Sequence, residues 1–284
     1  MSVDRQLLAS LLRENPFQPA TSFWRSVELA VVIRHGLPKG RGLDLGCGDG
    51  RLMRILLDAS GASPTLVGVD IDPLETQEAT QTGAYALVHT ASGARIPEPD
   101  AVFDFVFSNS VLEHIDELEP VIADASRVLK PGGVFLFTVP SDGLHDCLAG
   151  PFLPWRDRVG YLADIDRRCA HKRYWGEAEW GACLGRHGIR LAHAAKYLSV
   201  PEVQRWETLS RFTAGVLFSL LGKKRSPIQI QRSLGMRRGS FRLPAGVASF
   251  LARVISAGLR RDAPGASGCL LVEGRKSAPK DDAR

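Results

Sequence analysis

At 284 residues, with 44% hydrophobic and 24% charged residues, the chain has the composition of an ordinary globular protein, long enough for one α/β domain with an appended cap. Its formal charge of +5 is uneven: residues 201–284 hold 16 Lys and Arg against 6 Asp and Glu, whereas the first 200 hold 20 against 25. Five cysteines without a C-x-x-C pair argue against a disulfide framework or a zinc site, and no window approaches the ~18 apolar residues of a membrane span, so a cytoplasmic location is expected.

In chain order, 42–45 predicts a first buried strand and 51–59 the helix after it. Residues 65–69 predict a second strand, followed by a helix opening at Pro73, since proline suits the first helical position. Residues 84–89, 103–107 and 134–139 predict a third, fourth and fifth strand. Between the last two, 118–129 has helical spacing and is stopped by Lys130-Pro131-Gly132-Gly133. Residues 141–176 show little periodicity; 177–187 resumes as helix and 189–196 as strand. Two apolar stripes at helical spacing follow, one of Trp206, Leu209, Phe212, Val216, Leu217 and Leu220, the other of Val247, Phe250, Leu251, Val254, Ile255 and Leu259. Residues 268–273 predict the last strand. Strands alternating with helices predict a seven-stranded α/β sheet with a helical insertion before its final strand. The expected organisation is an N-terminal helical segment at 1–40, a core at 41–200, a basic helical cap insertion at 201–266, the last core strand at 267–276 and a polar tail at 277–284.

The chemistry concentrates at Leu43-Asp44-Leu45-Gly46-Cys47-Gly48-Asp49-Gly50, on the first strand-to-helix turn. Glycines there let the backbone turn sharply and approach a ligand, and the next helix aims its N–H groups at the same spot. The spacing is G-x-G-x-G with Arg51 at the third glycine position of a dinucleotide fingerprint, and an acid stands two residues before the first glycine. This favours a ligand with an amino group over a pyrophosphate. Asp70 ends the second strand about twenty residues on, where a carboxylate can accept from both ribose hydroxyls. Asp72 fits a helix-capping role better.

Four blocks, LDLGCGDG at 43–50, GVDIDP at 68–73, FDFVFSNSVLEHI at 103–115 and RVLKPGGVFLFTVPS at 127–141, resemble the class I S-adenosylmethionine-dependent methyltransferases, in particular the bacterial type-11 group. The resemblance implies a Rossmann-like, mostly parallel sheet of order 3-2-1-4-5-7-6, with the cofactor S-adenosyl-L-methionine over the carboxyl ends of strands 1, 2 and 4. It assigns Asp44, Gly46, Cys47 and Gly48 to the methionine portion, Asp70 and Ile71 to ribose and adenine, and Asn109 and Ser110 to the pocket near the sulfonium. Where many relatives place an Asp for the adenine amino group, five residues before the proline of an L-P-F block, this chain has Ser92, a departure. The helix before strand one lids the cofactor in such proteins, and Phe23, Trp24 and Arg25 stand where a lid would begin; packing against the sheet is the other reading.

Methyl transfer to a hydroxyl is helped by a general base, and His114 and His145 are the candidates. His114 also fits a turn anchor, because Leu-Glu-His is widespread in the family. Glu113 and His114 match a metal-binding pair of the ubiquinone-biosynthesis members, but Ser110 replaces the further acid, so no metal is expected. The acceptor expected is a small or lipid-linked molecule such as a glycan, polyketide or other secondary metabolite, methylated on oxygen. The basic 203–262 region reads either as a pocket cap or as a surface lying peripherally on the inner membrane. A nucleic-acid methyltransferase is disfavoured by Ser108-Asn109-Ser110-Val111 after strand four, which lacks the Pro-Pro of base-flipping relatives. A non-catalytic S-adenosylmethionine-binding protein is the remaining alternative.

Overall fold

The computed structural model describes residues 3–152, 155, 157–215, 242–259 and 266–278. Contacts divide the chain into two compact units. A sheet unit holds Val32–Asp142, Lys172–Lys196 and Cys269–Arg284, and a helical unit holds Met1–Val31, Gly143–His171 and Tyr197–Gly268. Residues 143–171, placed by the sequence reading within a core at 41–200, thus group with the N-terminal helices.

The strands are β1 (Arg41–Leu45), β2 (Thr65–Asp70), β3 (Leu87–Thr90), β4 (Phe103–Asn109), β5 (Leu129–Pro140), β6 (Ile189–Ser199) and β7 (Ser267–Lys276). They form one sheet of order β3-β2-β1-β4-β5-β7-β6, as expected. The first five pair in parallel, and β7 runs antiparallel to β5. Parallel strands need crossovers, supplied by α3 (Arg51–Ser60), α4 (Pro73–Ala79) and α5 (Leu118–Val128). Such strands are covered on both faces, which is why β1, β2 and β4 read as near-continuous apolar runs. Leu43, Val67, Val106, Phe135 and Phe137 are buried in one cluster, with Trp180 of α8 (Glu177–Arg186) packed 4.9 Å from Phe137. Because β1 lies between β2 and β4, the order in which strands are added reverses beside it, and the crevice over its carboxyl end is the place where open α/β sheets bind ligands.

Two strand expectations shift. β3 starts at Leu87, because Ala86 donates its N–H to Leu66 O from outside the strand. Lys130-Pro131-Gly132-Gly133 does not separate helix from strand. It lies within β5 as a bulge, where pairing jumps from Phe103↔Leu129 to Phe105↔Val134, and Gly132 takes a left-handed φ of +75°.

The helical unit contains α1 (Arg5–Glu14), the first part of α2 (Pro19–His35), α6 (Leu144–Cys147), α7 (Arg158–Cys169), α9 (Val200–Ser210), which runs into a π-helical turn at Arg211–Gly215, and α10 (Ala245–Ser256). Asp4 caps α1, accepting from the N–H groups of Gln6 and Leu7, and Leu7, Leu8, Leu11 and Leu12 are its buried face. Trp24 and Trp206 meet edge to face at 5.1 Å, and Phe23 is fully buried. Two buried carboxylates are satisfied by donors. Glu28 accepts from the Tyr197 hydroxyl at 2.8 Å and from Arg25; Glu207 accepts from the amides of Ala149 and Gly150, from the Tyr161 hydroxyl and from Arg211.

One stripe faces the other way from what its apolarity suggests. In α10 it is the small Ala248 and Ala252, with Ile255, that are buried, whereas Val247, Phe250 and Val254 are exposed. In the other stripe Trp206 is buried and Phe212 exposed; Val216, Leu217 and Leu220 lie outside the described residues, as does most of the tail expected at 277–284.

Candidate functional site

At the end of β1 the chain turns through three left-handed glycines, Gly46, Gly48 and Gly50, with φ of +81°, +53° and +73°. Two of them do different work. A Cβ on Gly46 would fall 2.5 Å from the Val111 side chain, so that position is closed by packing. A Cβ on Gly48 would meet nothing nearer than Glu75 Oε2 at 3.9 Å, so that edge of the turn is open to a ligand.

Most N–H groups of the turn are already used. Gly46 and Cys47 donate to Val69 O at 2.8 and 3.0 Å, and Gly48 donates to Asp70 Oδ2 at 2.9 Å. Asp70 Oδ1 accepts from the Asp72 amide at 2.9 Å, and Asp49 accepts from Arg51 N at 3.1 Å at the start of α3. Asp49 thus takes up the first N–H of α3, and carboxylates line the turn. Asp72 is the N-cap of α4, accepting from Leu74 N.

Asp44 lies behind the turn, 5% exposed, and accepts from the Tyr85 hydroxyl at 2.6 Å. Burial pushes its carboxyl up to about 7; the Tyr85 hydrogen bond opposes that rise and the charge of Asp70 adds to it. Burial, with the charges of Asp44 and Asp70, also holds the Cys47 thiol protonated, which removes it as a nucleophile. Tyr85 escaped the sequence reading because an isolated tyrosine before a short strand carries no motif.

Ile71, directly after Asp70, is 74% exposed and offers an apolar surface beside the carboxylate. The register Asp70↔Thr90 puts Ser92 just past the neighbouring strand end; its hydroxyl accepts from Ala94 N at 3.2 Å and so shapes its own turn. Asn109 ends β4, buried and in register with Thr138. Ser110 follows in a left-handed conformation with φ of +49°, its N–H donating to Thr138 O at 3.0 Å. A non-glycine residue held in that region is a strained position, which folds tolerate mainly where function needs it.

His114 lies on a short 3₁₀ turn, Leu112–His114, with Nε2 3.7 Å from Glu113 Oε1. That turn is pinned from outside: Lys172 N donates to Glu113 O at 2.8 Å, and Arg173 binds the carbonyls of Leu112 and Asp116. The sheet unit thus holds Asp44, Gly46, Cys47, Gly48, Asp70, Ile71, Ser92, Asn109, Ser110 and His114. His145 belongs to the helical unit, where its Nε2 lies 2.8 Å from Asp166 Oδ1.

The residues at the turn are matched to a cation. Asp44, Asp49 and Asp70 gather around Gly48, with Glu75 nearest its open edge, so a pyrophosphate would be repelled and a ligand carrying an ammonium or sulfonium attracted. Each Asp70 oxygen spends one acceptor site on the backbone, which leaves capacity for ribose hydroxyls.

Residues 43–137 match the family described as a methyltransferase domain. The malonyl-[acyl-carrier protein] O-methyltransferase of Enterobacter lignolyticus is 31% identical over 204 residues, covering 70% of this chain and 74% of that one. The dimethylglycine N-methyltransferase of Parasynechococcus marenigrum is 33% identical over 168 residues, covering 56% and 58%. With that protein and two other curated relatives, the match spans only 50–58% of the relative's length. Among solved structures, the [4+2]-cyclase SpnF superposes with a TM-score of 0.54 at 16% identity, covering 89% of this chain and 82% of that one, a likeness of fold alone. The fold order, the acidic glycine turn and the full-core relative agree: the chain belongs to the class I S-adenosylmethionine-dependent methyltransferases, whose cofactor carries the sulfonium and ammonium that this turn suits.

Proposed function

We propose that this chain transfers a methyl group from S-adenosylmethionine to an oxygen atom of a small-molecule or lipid-linked acceptor, such as a glycan, polyketide or other secondary metabolite. The observation that carries the reading is the set of carboxylates around the open edge of Gly48. When bound, the cofactor supplies a methyl group already activated by positive charge, so the protein's tasks are alignment and exclusion of water. Asp44, Gly46, Cys47 and Gly48 hold the methionine end, Asp70 and Ile71 the ribose and adenine, with Ser92 beside the adenine and Asn109 and Ser110 near the sulfonium. An arriving ammonium favours the ionised form of Asp44.

The relatives are named for both nitrogen and oxygen acceptors. A hydroxyl acceptor must lose its proton, and His145, whose Nε2 lies 2.8 Å from Asp166 Oδ1, is one candidate base for that step. His114 is the second candidate base.

Calorimetry should show S-adenosylhomocysteine binding at about micromolar affinity or better, with NAD not binding; the reverse preference overturns the cofactor assignment. Transfer of labelled methyl groups to a panel of hydroxylated glycans, polyketides and quinone precursors, beside amines such as dimethylglycine, then tests the acceptor. His145→Ala should lower transfer by about 10²-fold or more with S-adenosylhomocysteine affinity unchanged. Turnover of amines alone would refute the oxygen reading.

A further inference from the structure

Away from the glycine turn, α1 and α10 of the helical unit enclose a surface groove of about 410 Å³. Arg5, Arg13 and Arg253 line it together with Gln6, Ser10 and Ser249, and among the described residues no Asp or Glu lines it. The nearby Glu14 is neutralised by Arg242 at 3.0 Å. Helical spacing explains the convergence: residues 5, 9 and 13 recur every four positions on the face of α1 opposite its buried leucines. Small residues at Ala9, Ser10, Ala245 and Ala248 keep the floor open. Arg5 is anchored to Ser256 Oγ at 3.1 Å, and α10 is itself held by Arg205, which donates to the carbonyls of Ile255 and Ala257.

The same helix shows its apolar side to solvent. Val247, Phe250 and Val254 are 46%, 64% and 52% exposed. At ~100° per residue Phe250 lies only about 60° around α10 from Arg253, so the apolar stripe begins where the basic groove ends. A soluble phosphate compound has no use for that stripe, and an apolar protein partner has no use for three arginines that meet no carboxylate among the described residues. A lamella of anionic headgroups over acyl chains satisfies both.

We propose that the α1–α10 face docks on an anionic phospholipid surface, with a headgroup phosphate in the Arg5–Arg13–Arg253 groove and Val247, Phe250 and Val254 entering the acyl boundary. The proposal does not depend on the methyl-transfer reading. The test is co-sedimentation of the full chain with phosphatidylcholine vesicles, with and without phosphatidylglycerol, at about 0.05 M and about 0.3 M salt. Binding should require phosphatidylglycerol and fall several-fold at the higher salt. The double variant R13Q/R253Q should weaken it about ten-fold or more. The double variant F250S/V254S should weaken it comparably while leaving the salt dependence intact. All four side chains are exposed, so circular dichroism and melts should match the parent chain. Equal binding to zwitterionic vesicles, absence of vesicle binding, or glycerol phosphate binding by calorimetry without vesicle binding each overturns the proposal, the last by showing a soluble phosphate site instead.

Discussion

The sheet unit and the helical unit both contain apolar segments, yet their side chains answer to different constraints. In the interior strands of the sheet unit, which lie between neighbours and under helices, an apolar residue is buried almost wherever it falls. In the helical unit a helix has a free side, and burial depends on which neighbour it meets. There Ala248 and Ala252 are covered while Phe250 stands in solvent. Apolarity therefore reports position in the first unit and only potential in the second. Charge is gathered differently in the two as well, since four carboxylates of the sheet unit surround one turn and three arginines of the helical unit line a groove on the surface.

The contrast would break first at the tryptophans. Trp206→Ala should destabilise the chain by about 3–5 kcal/mol, because a buried ring packed on Trp24 is emptied. Phe250→Ala should stay within about 0.5 kcal/mol in the same thermal melts. Similar losses at both would mean that the exposed stripe is covered.

Within the turn, Gly46→Ala should cost about 3 kcal/mol, combining a left-handed φ with overlap on Val111. Gly48→Ala should cost about 1 kcal/mol in the melt yet abolish measurable S-adenosylhomocysteine binding, because its methyl group occupies the open edge. Equal binding by the Gly48 variant and the parent would place the ligand elsewhere.

Asp44 makes the turn pH-sensitive. Its folded-state pKa of about 7 lies above the ordinary 3.8, so the folded chain holds the proton more tightly than the unfolded one. The contribution of Asp44 to the stability of the ligand-free protein should therefore be full below about pH 4 and fall as pH rises to about 7, by at most ~1.4 kcal/mol per pH unit. Asp44→Asn should flatten that slope. Affinity for the cationic cofactor should rise over the same interval, since the ionised carboxylate is the form it prefers.

The smallest contrast is between neighbouring acids. Asp70→Ala should weaken S-adenosylhomocysteine binding ten-fold or more, while Asp72→Ala should lower stability by about 1 kcal/mol through the lost α4 cap and leave affinity unchanged. Equal affinity losses would show that the two roles are misassigned.

Much of the site was legible because its parts are local. Asp44 to Gly50 and Asp70 to Pro73 announce themselves by spacing, since a sharp turn needs glycine and a strand end needs its acid within a few residues of it. Strand order followed once those blocks suggested the family. The bulge at Pro131-Gly132-Gly133 was read as a break because proline and glycine stop a strand unless a register shift absorbs them, as it does here.

By itself, then, the sequence determined the alternation of strands and helices, the glycine turn with its acids and the excess of arginine beyond residue 200. These depend on residues near one another in the chain. Tertiary structure alone decided that Tyr85 reaches Asp44 from 41 positions away, that Asp166 holds His145, that arginines of α1 join one from α10, and that the large side chains of α10 face outward. Each of these rests on contacts between distant segments, fixed by packing geometry that no local pattern encodes.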